Sequence, residues 1–338
     1  MYSTLAEVNS KAAFTLTQPQ GEKITSSLNF SGSYSSSSGH TEKFWVSCRG
    51  WYEEDVSVTH WLLSGPLSVE KLTVTITGLP ASLKGTKLVQ MSDFHYDGFR
   101  LAEQMLEQAI AISNEAQPDL VLLTGDYVTD DPKPIHKLVQ RLKHLQSSAG
   151  TYAVLGNHDL YYSHSKTEIT DALTSIGVRV LWNEIAYPLG EELALVGMAD
   201  YWLSSEFQPS AVLNQLDPSL PRIVLSHNPD TAELMKKWRI DLQLSGHTHG
   251  GQIVLPGIGP LVAYAQVQWK FRRTLPKELR RIIPFMRRDF MRVVSHWEWA
   301  QGFHQVGKNQ LYVNRGLGTY LPGRLFCPPE VTIITLDG

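Results

Sequence analysis

From Leu72 onward, short apolar runs alternate with stretches of helical spacing. Val74 and Ile76 flank Thr75 in the alternation of a strand, before a Gly78-Leu79-Pro80 turn. Residues 88–91 read as a second strand. Leu101, Met105, Ala109 and Ile112 then recur at the spacing of one helix face. Residues 120–123 are continuously apolar, the pattern of a strand covered on both faces. Further strands are predicted at 151–155, 193–198, 223–225, 242–244, 310–313 and 331–336. Asp230-Thr231-Ala232-Glu233, ahead of a helical run, reads as an Asp-led variant of the capping box. Strands interleaved with helices predict a layered α/β or α+β domain, not a bundle.

The two ends of this pattern differ. Residues 1–42 are Ser/Thr-rich without an amphipathic period, and read as a flexible leader too poor in apolar surface to offset its ordering entropy. An organelle transit peptide, for instance to a plastid, is the alternative, against which stand Glu7, Glu22 and Glu42 and the lack of Arg before Arg49. Residues 43–85 are an N-terminal extension with the first strands, and 86–338 form the main domain. The uncharged stretch 250–269 is long enough to span a bilayer. Its four Gly and two Pro interrupt any helix, so it reads as strand and loop. No continuous apolar run in residues 1–40 marks a secretory signal, and Cys48 and Cys327 cannot build a disulfide framework. A cytoplasmic location is expected.

The polar residues carry the chemistry, through where they fall. Five predicted strands each end in metal-competent residues: Ser92-Asp93-Phe94-His95, Thr124-Gly125-Asp126, Gly156-Asn157-His158-Asp159, Ser226-His227-Asn228 and Ser245-Gly246-His247-Thr248-His249. In layered folds the C-terminal strand ends face the ligand crevice. Alternation places Asp93 and His95 on one side of an extended strand end. His247 and His249 share that spacing. A single Asp after a strand is ordinarily a cap or turn residue, but five coincident strand ends argue for one pocket. Carboxylate, imidazole and amide ligands without thiolate suit two divalent ions, Mn first, with Fe or Zn as alternatives. Asp126 is the natural bridge between them.

In order, these blocks read D-x-H, G-D, G-N-H-D, H and G-H-x-H, and over residues 86–338 the chain resembles the calcineurin-like metallophosphoesterase superfamily. The resemblance implies two mixed β-sheets packed as a sandwich flanked by helices. It implies one ion on Asp93, His95, Asp126 and His249, and a second on Asp126, Asn157, His227 and His247. His158 would be the outer acid for the leaving oxygen, with Asp159 orienting it. Two cations lower the pKa of a bridging water, giving hydroxide for in-line attack on phosphorus. Leu155 stands where the superfamily's protein phosphatases carry Arg. Gly246–Gln252, Tyr312–Gly318 and Cys327–Glu330 resemble a bacterial-type phosphodiesterase branch. That branch includes one lineage of UDP-2,3-diacylglucosamine pyrophosphohydrolases. Arg315 in this region would bind phosphate or brace its turn. A soluble phosphodiesterase or nuclease, and a metal-stabilised scaffold, are the competing readings.

Composition is ordinary for a globular protein and excludes collagen and wholesale disorder: 42% of the 338 residues are hydrophobic. The net charge of −3 first argues against a nucleic-acid binder. It conceals a dipole. Residues 267–296 hold nine Lys or Arg and two Asp or Glu, a net +7, so the remainder carries −10. Leu279, Ile282, Ile283, Phe285, Met286 and Phe290 are interleaved with these charges, as in a basic amphipathic helix pair broken at Pro284. Such a face suits a lipid-linked anionic substrate or an anionic membrane surface, and a peripheral membrane location. A structural insertion and nucleic-acid backbone binding are the alternatives. No obligate protein partner is inferred.

Overall fold

The computed structural model describes residues 63–203, 205–274 and 293–338, with backbone alone for 268–274, and the backbone of 8–17 and 23–32. The chain divides into two units, Met1–Asp55 and Val56–Gly338. In the first, Val8–Thr17 pairs antiparallel with Lys23–Gly32, with Val8 opposite Gly32. The sequence there alternates, with Val8, Ala12, Phe14 and Leu16 answered by Ile24, Leu28 and Phe30. That period of two is a strand signal inside the stretch read as a flexible leader. The other residues of 1–42 lie outside the described ones.

The second unit is built on two six-stranded sheets. The first runs Ser68–Thr75, Glu330–Asp337, Lys87–Met91, Leu120–Leu123, Thr151–Ala153 and Arg179–Val180. The second runs Gly302–Val306, Asn309–Val313, Leu242–Ser245, Arg222–Leu225, Ala194–Gly197 and Glu184–Ala186. Each sheet is mixed. Glu330–Asp337 is parallel to Ser68–Thr75 and antiparallel to Lys87–Met91, while the remaining pairs of the first sheet are parallel. In the second sheet the outermost pair at each edge is antiparallel.

Side-chain alternation explains the layering. Leu88, Leu120, Leu122, Ile334 and Leu336 of the first sheet pack with Leu195, Ile223, Leu225, Leu242 and Leu244 of the second in one inter-sheet core. Their neighbours Val89, Met91, Val121 and Leu123 point the other way, under the helices Glu103–Glu115, Ile135–Leu142 and Ser165–Ser175. Val196 and Val224 likewise face Val212, Leu213 and Met235 of two short helices. The continuous apolar runs therefore serve two cores at once. The predicted sandwich flanked by helices is the observed fold.

Two local expectations change. The stretch 250–269 contains a short hairpin, Val254–Leu255 with Gly259–Pro260, and then enters a helix, Leu261–Thr274, immediately after its last proline. Pro260 stands one residue before that helix, where its missing N–H breaks no intrahelical hydrogen bond. No described helix is long and apolar enough to cross a membrane. Of the basic stretch 267–296, residues 275–292 lie outside the described ones. Finally, Asp230 precedes the helix Thr231–Met235, but its side chain does not cap it. The carboxylate accepts instead from the backbone N–H groups of Ser295 and His296.

Leu122 is fully buried between the sheets. Leu122→Ala is expected to lower unfolding free energy by ~2–5 kcal/mol, through lost transfer energy and the residual cavity. Urea unfolding followed by tryptophan fluorescence measures it.

Candidate metal centre

The five polar blocks do follow strand ends, and both sheets contribute. Lys87–Met91 and Leu120–Leu123 deliver Asp93, His95 and Asp126, and the chain leaving Thr151–Ala153 delivers Asn157 and His158. Arg222–Leu225 and Leu242–Ser245 of the second sheet deliver His227, His247 and His249. Three groups form in which each residue has a ligand atom within 4.8 Å of the others: Asp93 with His95 and His249, Asp126 with His227 and His247, and His95 with Asp126 and His158. Asp126 and His95 each belong to two of them.

How the side chains converge differs from the expectation for Asp93 and His95. Neither continues an extended strand. Both have left-handed backbones, with φ of 52° and 42°. So do Asp126, His247 and His249, at 57°, 73° and 50°. Nine described non-glycine residues have positive φ, and five of them are these. Such conformations cost ~1–3 kcal/mol each and persist only where surroundings over-determine them. Here the hydrogen bonding continues past the strand ends: Asp93 N–H donates to the Gly125 carbonyl at 2.9 Å, His95 N–H to the Asp126 carbonyl at 3.0 Å and Gly246 N–H to the His227 carbonyl at 3.0 Å. Space is also specified. A Cβ on Gly156 would lie 2.2 Å from Asp126 Oδ1, and one on Gly246 2.2 Å from Asp93 Oδ2.

Outer hydrogen bonds decide which imidazole nitrogen faces inward. His227 Nδ1 donates to the Thr124 carbonyl at 2.7 Å, and His249 Nδ1 to the Gly318 carbonyl at 3.0 Å. His247 Nε2 donates to the Val293 carbonyl at 3.1 Å, and His158 Nδ1 donates to the Thr129 carbonyl. His95 Nδ1 meets the Tyr320 hydroxyl at 3.0 Å. Each contact turns the opposite nitrogen toward the cluster, the arrangement typical of histidines that hold metal ions. His95 Nε2 and His249 Nε2 face one another at 3.0 Å, a contact that needs a proton or a cation between the lone pairs. Asn157 Oδ1 is buried without a hydrogen-bond partner among the described residues. Buried acceptors facing inward, with oxygen and imidazole donors and no thiolate, fit two hard-to-borderline divalent ions.

The electrostatics agree. Burial holds His95 and His249 well below the usual imidazole range and brings His247 down to about 4, so all three rings stay neutral. Burial raises Asp93 to about 6. Burial would also raise Asp126, but His227 and His158 outweigh it and keep that carboxyl well below its ordinary value. His227 Nε2 lies 3.1 Å from Asp126 Oδ2, and this contact drives the imidazole well above its ordinary value despite burial.

One expected role is corrected, and of the two open to Arg315 the geometry favours bracing. Asp159 does not orient His158. Its carboxylate accepts backbone N–H bonds from Gly156, Asp126 and Tyr127, each at 2.9 Å, and so folds the turn that carries Asn157 and positions Asp126. The Thr129 carbonyl orients the His158 ring, and the backbone N–H of His158 donates to Asp126 Oδ1 at 2.9 Å. Arg315 is a brace. Its guanidinium pairs with Glu330 at 2.7 Å and with Glu70 at 2.5 Å, because a mostly buried cation needs its charge matched. Tyr320, Thr129 and Arg324 belong to the site and were not anticipated. Arg324 donates to the carbonyls of Arg315, Gly316 and Gly318 behind His249. No spacing in the sequence marks them, since two act through or upon backbone carbonyls.

Arg315→Ala should destabilise the fold by ~3–5 kcal/mol, because it leaves Glu330 buried and unpaired. Urea unfolding checks this, and an intact fold with a raised KM would instead make Arg315 a substrate ligand.

Residues 86–251 match the family described as calcineurin-like phosphoesterase. Phosphodiesterase YaeI of Escherichia coli is 34% identical over 74% of the chain and 82% of its own length. The uncharacterized metallophosphoesterase YkuE of Bacillus subtilis is 30% identical over 78% of the chain and 83% of its own length. UDP-2,3-diacylglucosamine pyrophosphatase LpxG of Chlamydia muridarum is 28% identical over 82% of the chain and 93% of its own length. With two sheets in a sandwich and a buried carboxylate–imidazole cluster at their strand ends, the chain belongs to the calcineurin-like phosphoesterase family and is a phosphoester hydrolase.

Proposed function

We propose that this hydrolase cleaves a phosphodiester or pyrophosphate bond in a lipid-linked substrate, of which UDP-2,3-diacylglucosamine is the type, with two divalent cations at the cluster. The observation that carries the reaction is the joining of two ligand groups through His95 and Asp126, with His158 in the group that joins them. Asp93, His95, Asp126 and His249 would hold one cation. Asp126, Asn157, His227 and His247 would hold the other. Mn²⁺ is the first choice for such oxygen and imidazole donors, with Fe or Zn as alternatives. When bound, the pair supplies Lewis acidity and lowers the pKa of a coordinated water.

The chain's own residues do the rest. Asp126 fixes the separation of the two groups. The Thr129 carbonyl keeps the proton of His158 on Nδ1 in the neutral ring, leaving Nε2 toward the phosphoryl group. Protonated at Nε2, His158 donates to the leaving oxygen and supplies general acid catalysis worth roughly 10²–10⁴-fold. His158→Ala should therefore retain two Mn²⁺ per chain and lose about that factor in kcat. Metal content by inductively coupled plasma spectrometry, read beside turnover, tests the assignment, and unchanged kcat overturns it.

The lipid-linked class is supported by the surface beside the cluster. Leu325 bridges to Ile253, a few residues past His249, and Tyr320 reaches His95. From these same loops Leu321, Leu325, Phe326 and Ile258 stand exposed, Phe326 at 66% and Ile258 at 64%. Large apolar side chains exposed on loops beside a polar site suit an acyl chain better than a free nucleotide. The basic composition of 267–296 suits the substrate's phosphates and an anionic membrane surface. A panel of UDP-diacylglucosamine, cyclic nucleotides, phospholipid, nucleic acid and phosphopeptide, with Mn²⁺ and mass-spectrometric readout, is the test. Preference for the acylated substrates is expected, and Phe326→Ser with Ile258→Ser should raise KM for these alone. Equal turnover of water-soluble diesters would make the protein a soluble phosphodiesterase.

A further inference from the structure

At Val293 the described chain resumes, and its first residues touch the cluster. The Val293 carbonyl accepts from His247 Nε2 at 3.1 Å. A neutral imidazole has one N–H. With the proton held on Nε2 by this carbonyl, Nδ1 carries the lone pair, and it is Nδ1 that lies 3.2 Å from His227 Nε2 inside the Asp126–His227–His247 group. The carbonyl thus decides whether His247 presents a donor atom or an N–H to that group. Val293 is itself 40% exposed, so its own side chain does little to hold it there.

What holds it is the next turn of chain, and Asp230 is the anchor. One carboxylate oxygen accepts the Ser295 N–H at 2.6 Å, and the other accepts the His296 N–H at 3.0 Å. Gln266 supports the same turn by donating to the Ser295 carbonyl at 3.1 Å. Val294 is buried with Trp297 and Ala300, against Val262 and Ala263. Asp230 in turn is fixed to the His227 block, since its N–H donates to Asn228 Oδ1 at 2.9 Å. Its helix makes no use of the side chain. Asp230 therefore joins the loop carrying His227 to the carbonyl that orients His247.

We propose that Asp230 is a positioning residue of the centre, clamping the Val293–His296 turn so that the Val293 carbonyl holds His247 in the tautomer able to bind the second cation. The proposal rests on the two-cation reading above. Because His247 serves one group only, the clamp acts on one of the two cation sites. Outer hydrogen bonds to metal-bound histidines are worth about 10–100-fold in affinity.

Mn²⁺ titration of the metal-free full chain by calorimetry, with electron paramagnetic resonance of the loaded protein, tests it. Asp230→Ala should leave one Mn²⁺ site at wild-type affinity and weaken the other about 10–100-fold. The spin-coupled signal of the pair should disappear at limiting Mn²⁺, and saturating Mn²⁺ should restore kcat. Asp230→Asn, which keeps one accepting oxygen, should fall between, and it serves if the alanine variant does not fold. Equal weakening of both sites, or two unchanged sites, overturns the proposal. Failure of the wild-type chain to bind two Mn²⁺ overturns the two-cation reading itself.

Discussion

A carboxylate buried away from water must be matched by charge or hydrogen bonds, or it takes up a proton. Asp126 is that carboxylate here, almost wholly buried and yet held ionised. His158 N–H donates to one of its oxygens, and the other lies 3.1 Å from His227 and 3.4 Å from His95. Those partners come from different strands of two different sheets. The sandwich is thus required by the charge: a single sheet would supply Asp93, His95 and Asn157 but neither His227 nor the histidines after Ser245.

The same demand explains the strained backbone. Five side chains reach a common centre only because their residues turn into the left-handed region as they leave the strands. The cost is distributed over a close weave of loop hydrogen bonds, including Leu317 N–H to the Ser92 carbonyl and Gly318 N–H to the Asp93 carbonyl. The apolar runs below make this possible. Leu120, Leu122, Ile223 and Leu225 pin the strand ends that the loops leave, and buried strands do not slip in register without moving apolar groups into water. Rigidity of the core is thereby converted into precision at the cluster.

Legibility in the sequence followed the range of the interaction. The inter-sheet core was readable because alternation is a local property, and Leu120–Leu123 announced its two covered faces. The ligand residues were readable because each block pairs a strand end with a chemically distinctive side chain. The short strands Arg179–Val180, Glu184–Ala186 and Gly302–Val306 were not, since two or three residues, or a half-exposed edge, carry too little pattern. Asp159 was misassigned, and Arg315 was left between two roles, for a related reason. A charged residue inside a functional motif is read as chemistry, whereas here Glu330 and a set of backbone N–H groups had prior claim on them.

By itself, then, the sequence determined the layered fold, the five strand-end blocks and the identity of the inward-facing donors. Only the tertiary structure decided which donors group together, which nitrogen each histidine presents, and which charged residues brace the site instead of serving it. The division has a physical cause. Strand periodicity and ligand chemistry reside in residue types at fixed spacing along the chain. Tautomers, left-handed turns and ion-pair partners depend on carbonyls and carboxylates far away in sequence, such as Val293 beside His247 and Glu70 beside Arg315, which no local pattern records.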